Sequence, residues 1–137
     1  MAETLRVTPD AHDAMVAHAR EGAPEEVVGV LAGTRDPDRV TGVERATNAA
    51  ETPETRYAID PAEQVALLDD IETRGEEVVG FYHSHPRGPE GPSATDEAQA
   101  TWDGYVYAIV SLSGDASLDA WRWTGDQFTP LAVRVGE

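Results

Sequence analysis

The sequence predicts an α/β fold of the α+β type, with helices packed on one mixed β-sheet in a single domain. Its 137 residues are enough for one hydrophobic core and too few for two domains of ordinary size. A hydrophobic fraction of 40% is typical of a globular chain. Helical patterns fall near the start and middle, and strand patterns lie between and after them, which favours a single sheet covered by helices.

The amino-terminal half predicts two helices among three strands. Strands are predicted over residues 5–7, 26–33 and 40–47, with a helix over 9–21 and a second helix that begins at Pro61 and stops at Gly75. The first helix has Thr8 as its N-cap and Pro9 at its first position. His12 and His18 lie on this helix about 240° apart, so they cannot share a ligand, and we expect both to be solvated.

The carboxy-terminal half predicts mostly strands. A buried strand is predicted over 78–82, a helix over 93–102, and three further strands over 105–112, 117–123 and 127–135, separated by Ser-Gly-Asp and Thr-Gly-Asp turns. The tryptophans, which are Trp102, Trp121 and Trp123, are expected to pack in the core and at the sheet edge.

The charge balance limits the partners. Asp and Glu number 26 against 10 basic residues, all of them Arg, for a net charge of −16. This excess argues against a nucleic-acid partner, whose phosphates need Lys and Arg. It is typical of a protein adapted to a salt-rich, halophilic cytoplasm, because the Debye length falls to about 3 Å in 1 M salt. No run is apolar enough to predict a membrane span or a signal peptide, so we expect a cytoplasmic protein.

One stretch in the middle of the chain concentrates the residues that can carry chemistry. The buried strand ends in His83 and His85, whose side chains share a face because they lie two residues apart. A loop rich in proline and glycine follows over residues 86–92, and we expect it to form the rim of a cleft. Ser93 then precedes Asp96 by three positions, which by itself is typical of a helix cap. With an oxygen ligand returning from this helix, the histidines predict a cation site with one open position, as in catalytic zinc sites. The chain has no cysteine, so any metal must use His, Asp or Glu.

The combined spacing resembles the JAMM (MPN+) metalloprotease family. The family pattern is a Glu-x-x-Gly-x-Leu-x-Gly strand, then His-Ser/Thr-His, seven residues, Ser, two residues and Asp. Every position is present, from Glu26 to Asp96, and the resemblance covers essentially the whole chain. It implies a single JAMM/MPN-like domain over residues 1–137, with a mixed curved sheet and a cytidine-deaminase-like architecture.

The resemblance also implies a role for each site residue. His83, His85 and Asp96 would bind one Zn²⁺ per chain, and Glu26 would act as general base and acid. Glu25 is a rival by position, but only Glu26 fits the spacing. Ser93 would donate a hydrogen bond to the oxyanion. Ser84, between the histidines, should face away from the metal and have a supporting role.

A substrate class follows from the same resemblance. The small, acidic, Lys-free form is similar to haloarchaeal members that act as desampylases. This implies a zinc metalloprotease that cleaves ubiquitin-like small archaeal modifiers from target lysines, and also linear fusions, after the modifier's C-terminal glycine. A JAMM peptidase that processes a sulfur-carrier protein adduct in cofactor or cysteine biosynthesis is the alternative. A non-catalytic MPN scaffold is a third hypothesis, and the complete set of site residues argues against it.

Overall fold

The computed structural model describes residues 3–87 and 91–136, and its strands close into a barrel. The strands are β1 Thr4–Val7, β2 Val28–Thr34, β3 Arg39–Ala46, β4 Glu77–His85, β5 Val106–Ser111, β6 Ser117–Trp123 and β7 Phe128–Val135, and the helices are α1 Pro9–Gly22, α2 Pro61–Thr73 and α3 Ala94–Gln99. Their order around the barrel is β1-β3-β2-β4-β5-β6-β7, and the parallel pairing of β7 with β1 closes it. The predicted α+β class is confirmed, and the predicted curved sheet closes into a barrel.

The strand that carries both histidines lies in the middle of this sheet. β4 pairs antiparallel with β2, in a register that aligns Val28 with His83, and parallel with β5, where His83 aligns with Ile109. Because it has a partner on each edge and cover on both faces, β4 is buried from Val78 to His85. The end of β4 is therefore a rigid and desolvated place for polar side chains.

The two faces of the central strands bury two separate apolar clusters. On one face α1 packs Met15 against Tyr82, and on the other α2 packs Ile71 near Phe81. Burial of each large side chain stabilises the fold by about 1.5–3 kcal/mol. Since side chains alternate along a strand, His83 and His85 share the face of Phe81, and Ser84 shares that of Tyr82. The site therefore lies on the α2 side of the sheet.

Two glycines allow the close contacts around β4. A Cβ on Gly80 would lie 1.8 Å from the carbonyl oxygen of Val106, and a Cβ on Gly29 would lie 2.3 Å from Cε1 of Tyr82. Gly29, three residues after Glu26, thus leaves the space that the Tyr82 ring occupies. This agrees with the close backbone approach that glycine within a strand predicts.

Some element boundaries differ from the prediction. α3 ends at Gln99, short of residue 102, because the amides of Thr101 and Trp102 donate to the hydroxyl of Tyr107 instead of continuing the helix. β2 begins at Val28, two residues later than expected, which leaves Glu26 outside the strand. Trp102 packs edge-on against Phe81, in agreement with its predicted packing role.

The expectation that His18 is solvated is wrong. Its Nδ1 lies 2.7 Å from the hydroxyl of buried Tyr82, and its ring is half-buried against the sheet. Burial and the nearby Arg45 guanidinium lower the pKa of His18 to about 4. His12, by contrast, pairs with its exposed neighbour Asp13, whose Oδ1 lies 3.1 Å from the His12 Nδ1. No helix in the described ranges is long and apolar enough to cross a membrane.

Candidate metal centre and active-site cleft

Four residues from three parts of the chain converge at the end of β4. They are Glu26, His83, His85 and Asp96, and each offers a ligand atom within 4.8 Å of the others. Their exposed fractions are 7%, 2%, 4% and 4%, so little of their surface is in contact with bulk water. The structure therefore brings together the predicted metal ligands and the predicted base.

The spacing of the three predicted ligands suits a small cation. The Nε2 atoms of His83 and His85 lie 3.2 Å apart, and Asp96 places Oδ1 3.3 Å from the first and Oδ2 3.0 Å from the second. In a tetrahedral zinc site with ligands at about 2.0–2.1 Å, the ligand atoms lie about 3.3–3.4 Å from one another. Two imidazoles and a carboxylate are also donors that zinc accepts. The residues present thus fit the metal that the motif implies.

Asp96 is oriented by the start of α3. The Ser93 amide donates to its Oδ2 at 2.9 Å, and the Asp96 amide donates back to the Ser93 hydroxyl at 3.1 Å. This reciprocal pair is a capping box, which satisfies two helix-end amides at once. The same hydrogen bonds turn the carboxylate toward the histidines. The helix cap and an Asp96 carboxylate that faces the histidines are therefore compatible within this one motif.

The protonation states favour metal binding. Burial lowers the pKa of His83, which keeps the imidazole neutral and its lone pair available. Burial alone would raise the pKa of Asp96, but hydrogen bonds from His83, from His85 and from the Ser93 amide outweigh it and hold that pKa well below its ordinary value. Neutral imidazole and ionised carboxylate are the forms in which these groups bind metal.

Glu26 reaches the site from outside the β2 ladder. Continued two residues beyond the Val28–His83 pair, the antiparallel register sets Glu26 opposite His85. Its Oε1 is buried and has no hydrogen-bond partner among the described residues. Burial raises the pKa of Glu26 to about 7, with the neighbouring Asp96 adding to the shift and His85 opposing it. A carboxyl with this pKa can both accept and return a proton near neutral pH.

A cleft of about 250 Å³ opens beside these groups. It is lined by Pro24, Glu26, Glu54, Thr55, His85, Arg87 and Ser93. The Ser93 oxygen accepts the cap hydrogen bond, so its own hydroxyl hydrogen remains available to donate. The predicted rim over residues 86–92 is described at its two ends only, because residues 88–90, including Pro89, lie outside the described residues.

Sequence reasoning missed two contributors to the site. Tyr57 stacks on His83 with ring centroids 4.3 Å apart and 24° between the planes, and burial raises its pKa so that it stays neutral. Asn48, in the loop before it, donates to the Glu26 carbonyl at 2.9 Å. Loop residues give no periodic signal, and both contacts join segments distant in sequence.

Ser84 faces away from the site as predicted, and its hydroxyl accepts from the Val27 amide at 2.9 Å.

Comparison with known proteins agrees with this geometry. Residues 8–124 match the family described as prokaryotic homologs of the JAB domain. The chain is 47% identical to the desampylase of Haloferax volcanii over 96% of each chain. It is 40% identical to the CysO-cysteine peptidase of Mycobacterium tuberculosis, over 78% of this chain and 73% of that one. A solution structure from Desulfitobacterium hafniense superimposes with a TM-score of 0.87 at 30% identity, covering 97% of this chain and 93% of that one.

These similarities decide the family and the kind of enzyme. The family match spans most of the chain, and the two curated relatives are a desampylase and a peptidase that align along most of their own lengths. The predicted resemblance and the prediction of a hydrolase of peptide bonds are confirmed. The chain belongs to the prokaryotic JAB-domain branch of the JAMM peptidase family.

Proposed function

We propose that this protein is a zinc-dependent isopeptidase that removes ubiquitin-like modifiers from target lysines. The cut would follow the C-terminal glycine of the modifier, and linear fusions would be cleaved in the same way. The observation that carries the proposal is the buried convergence of Glu26 with His83, His85 and Asp96 at the head of an open cleft. The similarity to a desampylase along nearly the whole chain supports this substrate class.

The proposed chemistry divides between the metal ligands and Glu26. His83, His85 and Asp96 would hold one zinc ion, which when bound supplies Lewis-acid polarisation of the carbonyl and acidifies water. Glu26 takes the proton of the attacking water and returns it to the leaving amine. Its carboxyl is suited to both steps because burial raises its pKa to about 7.

Ser93 supplies the third element of the proposal. Its hydroxyl borders the same cleft as Glu26 and His85, and its hydrogen is not used by the helix cap. We propose that the Ser93 hydroxyl donates a hydrogen bond to the oxygen of the scissile carbonyl as negative charge develops there. Removal of a single donor of this kind typically lowers kcat by about 10²–10³-fold.

Release of an amino acid from a sulfur-carrier protein adduct is the second candidate. It is favoured by the similarity to a CysO-cysteine peptidase. Both candidates hydrolyse an amide at the C-terminal glycine of a small carrier, so the four converging residues serve either equally well. The difference lies in the leaving group, which is a lysine side chain in one case and a free amino acid in the other.

The surface charge sets the conditions for the test. A protein with a net charge of −16 would repel an acidic modifier at low salt. At about 1 M salt the Debye length of roughly 3 Å confines such repulsion to contact distance. We therefore infer a salt-adapted enzyme, whose cleavage rate should rise as salt is increased toward molar concentration.

One incubation series tests the proposal. Purified protein is incubated in molar salt with a modifier–lysine conjugate, a linear modifier fusion and a sulfur-carrier–amino-acid adduct, with and without chelator. We expect cleavage of the first two that is lost with chelator and restored by zinc. Glu26→Gln should lose cleavage while keeping its metal, and Asp96→Asn should lose both. Undiminished cleavage after complete metal removal would overturn the mechanism, and cleavage of the adduct alone would favour the second candidate.

A further inference from the structure

Glu26 lies on a segment that the barrel does not hold by itself. β2 begins at Val28, so the backbone of Glu26 has no place in the strand. Hydrogen bonds from loops replace the ladder, since its amide donates to the Pro53 carbonyl at 2.7 Å and its carbonyl accepts from Asn48 Nδ2 at 2.9 Å. A base must be held within a few tenths of an ångström of its working position. The loop that supplies these partners therefore matters for the chemistry.

The Asn48 side chain is the centre of that loop. Its Nδ2 donates to the carbonyls of Glu26 and Arg56, each at 2.9 Å. Its Oδ1 accepts from the amides of Ala50 and Ala58, at 3.0 and 3.1 Å. A carboxamide has two N–H donors and two acceptor lone pairs, so these four hydrogen bonds use its full capacity, and a fifth and longer contact of 3.5 Å joins Nδ2 to the Pro53 carbonyl. Each of the four partners is a backbone group, which makes the side chain a substitute for local secondary structure.

Two of these hydrogen bonds, those with the Arg56 carbonyl and the Ala58 amide, also fix a second part of the site. Arg56 and Ala58 flank Tyr57, and the Tyr57 ring stacks on His83 at 4.3 Å. Asn48 therefore holds the backbone of the proposed base on one side and the ring that packs against a proposed metal ligand on the other. The Asn48 carboxamide itself takes no part in the proposed chemical steps.

We propose that Asn48 is a positioning residue that fixes Glu26 relative to the Tyr57–His83 stack. The proposal rests on the proposed function, because it assigns Glu26 the role of base. Its consequence is that loss of the Asn48 donors displaces Glu26 without removing any ligand of the metal. The turnover number should then fall while metal content and substrate affinity are kept.

The test compares two variants that separate the donor and acceptor roles. Asn48→Asp keeps the shape and the Oδ1 acceptor but sets a carboxylate oxygen against the carbonyls of Glu26 and Arg56. Asn48→Ala removes every hydrogen bond of this side chain. Thr47→Val is the matched control, because it removes a neighbouring hydrogen bond to Glu63 and leaves Asn48 intact. Cleavage of a linear modifier fusion, zinc stoichiometry and amide hydrogen exchange are measured for each, well below the unfolding temperature.

We expect Asn48→Asp to lower kcat by about 10–100-fold, with KM within about threefold and zinc at one per chain. Exchange of the Glu26 amide should accelerate in both variants, whereas the Ala58 amide should lose protection only in Asn48→Ala. Thr47→Val should match the unsubstituted protein. An unchanged kcat in Asn48→Asp, or a loss of zinc in parallel with kcat, would overturn the positioning role.

Failure of the proposed function gives a different pattern. If the unsubstituted protein cleaves none of the carriers, the peptidase proposal fails, but the exchange data still report on the loop. The Tyr57 ring shifts the resonances of the His83 ring, so NMR of that imidazole follows the stack independently of activity. Unaltered Glu26 exchange and unaltered His83 resonances in Asn48→Ala would overturn the proposal without any cleavage assay.

Discussion

Replacing Glu26 by Gln should stabilise the metal-free protein above pH 7 while removing its activity. The ordinary pKa of this carboxyl is 4.5, and burial raises it to about 7 in the folded protein. Between these pH values the folded state keeps a proton that the unfolded chain has released. The free energy of unfolding therefore falls as pH rises through this window, and the full penalty is present above about pH 7. Glutamine has nearly the same shape, carries no charge and escapes the penalty.

The magnitude follows from the two pKa values. A difference between 4.5 and about 7 corresponds to about 3.4 kcal/mol, at 1.36 kcal/mol for each tenfold change. This is a ceiling, because Glu26 borders the cleft and solvent screens part of the charge. The glutamine amide must also find partners, so we expect a gain of about 1–2 kcal/mol at pH 8. That gain corresponds to a rise in Tm of about 3–8 °C for a chain of this length.

The assay is urea unfolding at constant high salt with chelator, followed by tryptophan fluorescence at pH 8 and pH 5. At pH 5 the gain should shrink to about a quarter, because that pH lies near the lower end of the titration window. Glu25→Gln is the matched control, since this neighbour is exposed and should show no gain at either pH. With zinc restored, Glu26→Gln should cleave about 10²–10⁴-fold more slowly. Equal stability of the two proteins at pH 8, or one gain at both pH values, would refute the burial argument.

Two further predictions concern the packing behind the site. Gly29→Ala should destabilise the fold by about 2–3 kcal/mol, because the new Cβ would lie 2.3 Å from the Tyr82 ring and 2.6 Å from the Glu44 carbonyl oxygen. Gly42→Ala, whose new Cβ would have nothing within 4 Å, should change the free energy of unfolding little in the same urea experiment. Similar losses in the two variants would exclude these close contacts as the cause. His18→Gln should reduce the acid sensitivity of folding, because the pKa of His18 is lowered from 6.5 to about 4 and the unfolded chain takes up a proton first as pH falls through this window. The native protein should lose about 1 kcal/mol more than the variant between pH 7.5 and pH 5, after allowance for solvent screening, and parallel losses would rule out this histidine.

Much of the fold and site could be predicted because the signals are local. Thr8 caps α1 and Asp60 caps α2 through hydrogen bonds within a single helical turn, so those helix starts could be identified from neighbouring residues. The alternation along β4 likewise assigns both histidines to one face. The spacing from His83 to Asp96 then predicts a site that the structure brings together. Each of these inferences depends on residues a few positions apart.

Other features needed long-range information. Closure of the barrel depends on pairing between β1 and β7, at opposite ends of the chain, and no local pattern specifies that contact. His18 resembles a solvated helix residue until α1 is packed against the sheet and its ring meets the Tyr82 hydroxyl. The end of α3 is likewise set by Tyr107, which competes for the amides that would have extended the helix.

The candidate site shows the same division. The sequence by itself determined which side chains could bind a metal, because ligand chemistry and strand periodicity are properties of the residues, and its resemblance to the family singled out Glu26 as the group that could move a proton. Only the tertiary structure decided that Glu26 stands beyond the end of β2, buried enough to raise its pKa to about 7 and held by Asn48. Burial and hydrogen bonds between distant segments exist only once the chain has closed on itself, and they set the protonation and position on which the chemistry depends.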